Sequence, residues 1–141
     1  MRVSSYAVAR PSWYDRNSTE ASNSFGASNG GFTNGFQFTY TVPSGKLFNM
    51  DSGFCGIWTS VIAAANGTDQ SALIFTPSGG SATSLLDVRV YIQTAGVIAT
   101  QNLAGTVLIF PGGTIQAYAF SGQTGGTTAF AISYHGVQFD R

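Results

Sequence analysis

From Phe32 onward, apolar residues recur with a period of two, the signature of half-buried strands. In GFQFTYTV (35–42), Phe36, Phe38, Tyr40 and Val42 alternate with Gln37, Thr39 and Thr41, and Pro43-Ser44-Gly45 follows as a turn. A strand pair is expected from Lys46 to about Ala64. Phe48, Met50 and Phe54 share one face there, and Gly53 and Gly56 permit a bend or bulge. Asn66-Gly67 is a tight-turn signal, and Ala72–Thr76 is a short strand closed by Pro77-Ser78-Gly79-Gly80. The clearest amphipathic stretch is LLDVRVYIQT. Its Leu86, Val88, Val90 and Ile92 point one way and Asp87, Arg89, Tyr91 and Gln93 the other, making Asp87 and Arg89 a surface ion pair. VIAT (97–100) and Val107–Phe110 are short strands, and Pro111-Gly112-Gly113 turns the chain into TIQAYAF. There Tyr118 and Phe120 oppose Ile115, Ala117 and Ala119. After the glycine turn 122–126, a last strand carries Phe130, Ile132 and Tyr134 on one face.

About eight strands, turn signals every 8–15 residues and no helical pattern predict an all-β fold. The first expectation is an antiparallel β-sandwich of jelly-roll type, with an up-and-down barrel as the second. Residues 1–31 differ from the rest. They hold Arg2, Arg10, Asp15, Arg16 and Glu20, lack apolar periodicity, and end in the polar run ASNSFGASNGG. They read as an extended N-terminal arm and linker, with 32–141 as the sandwich domain. A functionless disordered tail is the plainer alternative, and Trp13, Tyr14 and Phe25 argue against it, because such tails are poor in aromatics.

Composition narrows the function classes. Charged residues are only 9% of the chain and the formal net charge is zero, against a typical charged share of ~25%. With Lys46 as the one lysine there is no basic footprint for a phosphate backbone, so no nucleic-acid partner is expected. A surface so poor in charge resists association weakly, which favours a subunit of an assembly. The N-terminal sequence lacks the apolar stretch of a secretory leader, and no apolar run is long enough to span a bilayer, so no membrane partner is expected. The sequons at Asn17 and Asn66 read as chance.

Candidate chemistry is sparse. His135 is the sole histidine and Cys55 the sole cysteine, which leaves no disulfide framework and no metal-ligand spacing. A charge-relay arrangement on His135 would need its nucleophile on a strand-to-helix turn, and the chain shows no helical pattern to supply one. Cys55 in an apolar strand is by default a small buried thiol. Asp15, Glu20, Asp51, Asp69, Asp87 and Asp140 are scattered singly, without the paired spacing of a glycosidase. No catalytic residue, cofactor or metal is therefore expected. Trp58, Tyr91 and Tyr118 are candidates for a sugar-stacking platform, though each is more simply a strand aromatic in a core or a subunit interface.

Three stretches carry a resemblance: PSWYDRN near the N-terminus, YTVPSGK (40–46), and IFPGGTIQAY together with the closing GVQFD. In that order they resemble small structural proteins of tailed bacteriophages, which have a Tyr-Asp-Arg-Asn-like arm, a Val-Pro-Ala-Gly-Lys strand end and a Pro-Gly-Asp-type hairpin. This chain departs from that pattern at Ser44 and Gly113. The resemblance implies a non-enzymatic capsid decoration, or cement, protein on the virion surface. Its partners would be the major capsid protein and further copies of itself, with a trimer favoured. It also points to Arg10, Pro11, Trp13, Tyr14, Asp15, Arg16 and Asn17 as partner-binding residues of the arm, since aromatics and arginine concentrate interface energy. A tail or tail-fibre module that binds host-surface glycans is the alternative.

Overall fold

The computed structural model describes residues 18–28, 31–61, 67–91, 97–122 and 127–141. They form nine strands: β1 (Thr19–Ser28), β2 (Gly35–Thr41), β3 (Lys46–Val61), β4 (Thr68–Thr76), β5 (Thr83–Tyr91), β6 (Val97–Asn102), β7 (Val107–Ile109), β8 (Thr114–Ser121) and β9 (Thr127–Asp140). One sheet has the order β1-β9-β3-β6, with β7 also paired to β3, and the other has the order β2-β8-β4-β5. Every pairing is antiparallel. The pairs β1–β9, β2–β8, β3–β6/β7 and β4–β5 are nested, so the chain is one long hairpin rolled up, with alternate rungs falling in opposite sheets. That is a jelly roll, and the barrel alternative falls away.

The core lies between the sheets. Phe48, Met50, Cys55 and Ile57 of β3 and Phe130, Ile132 and Tyr134 of β9 face Leu73, Leu86, Val88, Val90, Ile115, Ala117 and Ala119. At one end Tyr40, Phe48 and Tyr134 pack ring to ring at 5.1–5.9 Å, with Phe38 tilted 5.7 Å from Tyr134. The expected faces of β5 as far as Tyr91, and those of β8 and β9, hold, with Ile115, Ala117 and Ala119 the buried side of β8, while Ile92 and Gln93 lie outside the described residues.

Three expectations change. Where a strand pair was expected from Lys46 to about Ala64, Lys46–Val61 is a single strand, β3, with an extra residue, Asp51, between Met50 and Ser52 in the register with β9, and residues 62–64 lie outside the described residues. A bulge adds one residue and so inverts the alternation beyond it. Phe48 and Met50 face in, and Phe54 is turned out, away from the face it was expected to share. A second bulge, at Gln37, separates Phe36 from Phe38. Phe38 and Tyr40 pack on the core, whereas Phe36 is 58% exposed. Finally, Thr19–Ser28, which composition assigned to the linker, is the edge strand β1, in unbroken register with β9 from Thr19↔Gln138 to Ser28↔Ala129. Only Ala21, Phe25 and Ala27 mark its inward side, and Phe25 is edge-on to Phe32, which in turn meets Phe130 edge-on.

Candidate interaction surfaces

The arm residues Arg10, Pro11, Trp13, Tyr14, Asp15, Arg16 and Asn17 lie outside the described residues. What the structure positions is the sheet they lead into and its two outer faces.

On the outer face of the β1-β9-β3-β6 sheet, Phe54 and Trp58 flank Gly56 on β3. Their ring centroids are 6.1 Å apart with planes inclined at 31°. Both rings lean over the glycine: a Cβ there would lie 2.5 Å from Trp58 and 2.9 Å from Phe54. Trp58 pairs with Ile98, which is 68% exposed, and with Ala129. Ala131, Ser133, Ser24, Gly26 and Ser28 continue the same face as a flat floor. Further along this sheet, β7 leaves Leu108 exposed, and Phe110 beyond its end is exposed too.

The outer face of the β2-β8-β4-β5 sheet carries Phe36 edge-on to Tyr118, with ring centroids 5.6 Å apart, and the exposed Tyr91. Between them Arg89 grips Asp87 through Nη2 at 2.9 Å and Nε at 3.2 Å, the ion pair expected from the sequence, and Gln70 donates to the same carboxylate at 2.9 Å. Trp58 is therefore on one face of the sandwich and Tyr91 and Tyr118 are on the other. The three do not form one platform, because β3 lies in one sheet and β5 and β8 in the other.

The titratable side chains are tied locally. His135 Nδ1 lies 2.7 Å from Asp51 Oδ1 on the open face of the first sheet. Asp51, and more weakly Glu20, hold the imidazole above its ordinary value. An Asp-His pair is half of a charge-relay arrangement, but among the described residues no hydroxyl or thiol is hydrogen-bonded to the other ring nitrogen. No sequence signal links positions 51 and 135, and only the bulge that turns Asp51 outward brings them together. Lys46 pairs with Asp140, and the buried Asp69 accepts from the Gly122 amide at 3.2 Å. Cys55 is fully buried, and burial pushes its thiol up to about 12. The neighbouring Ser71 hydroxyl works against that shift, and burial prevails. Such a thiol is packing, not nucleophile. Among the described residues no three metal-ligating side chains come together.

No protein-family model matches the chain, and no curated protein matches it. Solved structures similar to it include infectious bursal disease virus of the Gx strain, at 15% identity and a TM-score of 0.42. That match covers 89% of this chain and 32% of the other. The Gt strain gives 14% and 0.40, with coverage of 88% and 33%. The asymmetric unit of a human norovirus GI.7 Houston strain VLP gives 8% and 0.39, with coverage of 93% and 33%. The chain thus spans about a third of the length of each of these chains. The jelly-roll assignment rests on the strand order alone.

Proposed function

We propose that the chain is a non-enzymatic virion structural protein of a tailed bacteriophage: a capsid decoration protein that sits on the outside of the head, bridges major capsid subunits and self-associates. Its N-terminal arm anchors it there, through Arg10, Pro11, Trp13, Tyr14, Asp15, Arg16 and Asn17. The observation that carries this reading is the exposure of large apolar side chains on both outer faces. Phe36, Tyr91, Ile98, Leu108 and Phe110 are exposed in a chain with only 9% charged residues. Where such side chains adjoin another ring, as Phe36 does Tyr118 and Ile98 does Trp58, they offer apolar surface that a partner can cover. The sequence resemblance supplies the class of assembly, and a jelly roll by itself implies no activity.

Removing residues 1–17 leaves β1 intact and tests the arm. The truncated chain is expected to fold, with an unchanged circular dichroism spectrum, and to be lost from purified heads that retain the full chain. Equal retention of both chains sinks the anchoring role.

A second reading, a glycan-binding module, is favoured by one feature: the Phe54–Trp58 pair lying over Gly56 beside Thr100 and Asn102. An aromatic surface flanked by short polar side chains suits the apolar face of a sugar. A glycan array separates the two readings, since specific binding abolished by Trp58→Ala supports the second.

A further inference from the structure

An edge strand exposes a row of unpaired backbone groups, and natural sheets guard such edges with bulges, charges, proline or a covering segment. Three of the described edges here are guarded or broken. β2 is bulged at Gln37. β5 is bulged at Leu85, carries the exposed Arg89, and has the Asp87 amide taken by Gln101 Oε1 at 2.9 Å. The edge opposite β1 is split between β6 and β7. β1 is the exception. Its ten residues, TEASNSFGAS, run in register with β9 without a bulge and contain no proline, no lysine and a single charge, Glu20.

The backbone directions can be assigned. Gly53 O accepts from Leu103 N on the β6 side of β3, so the odd residues of that part of β3 face β6 and the even ones face β9. Because β9 alternates likewise, odd residues of β1 bond to β9, and Glu20, Ser22, Ser24, Gly26 and Ser28 aim their N–H and C=O outward. Ser24 N agrees, since it donates away from the ladder to Asn23 Oδ1 of its own strand at 2.9 Å, a local bond that is exchanged for a ladder bond when the edge pairs. The side chains of the same even residues are short or acidic and lie on the flat outer face.

We propose that this edge pairs antiparallel with β1 of a second copy across a two-fold axis at Asn23, joining two sandwiches through one continuous sheet. Three features of the strand select a second copy and this register. A two-fold axis perpendicular to the sheet keeps outer faces together, so residues pair only with residues of the same parity, and a one-residue slip is forbidden. Centred on Asn23, Phe25 sits opposite Ala21 on the core side. Glu20 then meets Gly26, away from its own mate, and Ser22 meets Ser24. The next permitted register, centred on Ser24, places Phe25 against Asn23 and loses that apolar match. The contact holds whatever surface the protein occupies in use, and the three-fold assembly implied by the resemblance would have to form through another surface.

Sedimentation of the full chain tests this, because the register predicts the sign of each variant. The wild type is expected to sediment as a dimer. Ser22→Lys combined with Ser24→Lys sets like charges opposite each other twice across the axis, and is expected to raise the dimer dissociation constant at least ~10-fold with the circular dichroism spectrum unchanged. Ser22→Glu combined with Ser24→Lys sets opposite charges in the same places, and is expected to restore the dimer. Thr83→Lys on β5 is expected to leave association unchanged. A wild type that is monomeric throughout, or a trimer indifferent to the paired lysines, overturns the proposal. So does a charge-swapped variant as weak as the double lysine. A chain that dimerises only after residues 1–17 are removed also overturns it, because its own N-terminal segment would then hold the edge.

Discussion

Phe48 and Trp58 stand ten positions apart on β3, each beside a glycine, and they have opposite fates. Phe48 is fully buried against Tyr40 and Tyr134, and its ring fills the space a Cβ on Gly136 would need, 2.4 Å away. Trp58 lies on the outside, over Gly56, which a Cβ would bring to 2.5 Å from the indole. The seats differ in what else surrounds them. At Gly136 the backbone of Asn49 and Met50 also lies within 2.4 and 2.8 Å, whereas at Gly56 the nearest atoms all belong to the two aromatic side chains. One glycine is required because strands cannot move apart. The other is a recess occupied by the far ends of two side chains. The bulge at Asp51 separates the two regimes, because it turns the later half of β3 inside out.

The largest test of that contrast is Phe48→Ala. Removing a fully buried ring at the centre of the aromatic cluster is expected to cost about 3–5 kcal/mol, read as a lowered midpoint in urea with an unchanged slope. Gly136→Ala comes next. Its new methyl meets a carbonyl oxygen, so the upper part of the ~1–3 kcal/mol range for overpacking is expected, together with a local distortion of the β3–β9 ladder visible in amide exchange. If Gly136→Ala proves neutral, the close approach at that seat is not what fixes the glycine.

Alkali probes the same cluster without mutation. Burial pushes the Tyr134 hydroxyl up to about 12 and raises Tyr40 as well. A folded-state value raised above the unfolded one gives stability that is complete below the ordinary tyrosine value of 10.0 and is lost as pH climbs through the folded value. Unfolding midpoints measured between pH 9 and pH 12 should therefore fall steadily, and less so in Tyr134→Phe, which keeps the ring and removes the titration.

Much of this layout was readable from residue order, and the unread parts share one physical cause. Leu86, Val88 and Val90 alternate without interruption along β5, so their inward face followed at once. Phe36 and Phe54 obey the same alternation in sequence but sit across a bulge from their neighbours, and a bulge is a property of the pairing with β8 or β9, not of either strand alone. β1 escaped for a different reason. An edge strand whose inner face is two alanines and one phenylalanine buries too little to show a periodicity, and its pairing is set by β9 more than a hundred residues later. Cys55 as a buried thiol and Asp87 with Arg89 as a surface pair needed only their local context. The Asp51–His135 contact needed the whole sheet.

At the outer seat the expected effects are small. Gly56→Ala requires only that two side chains swing aside, so its cost should stay below about 1 kcal/mol, the size of a surface change and not of a core one. The intrinsic fluorescence of Trp58 should shift with it. A loss as large as that of Gly136→Ala would show that the outer rings are as fixed as the inner ones, and the contrast between the two glycines would collapse.

The smallest effect belongs to the outer-face pair Asp51 and His135. Asp51 holds the imidazole above the ordinary value of 6.5, so the stability it contributes is complete below that pH and disappears as pH rises through the raised value. Asp51→Asn should therefore destabilise the protein slightly at pH 5.5, by a few tenths of a kcal/mol as expected for an exposed pair, and leave it unchanged at pH 9. The proton resonances of His135 should titrate at lower pH in the variant than in the wild type. If the titration does not move, the carboxylate is a neighbour of the ring and not its partner.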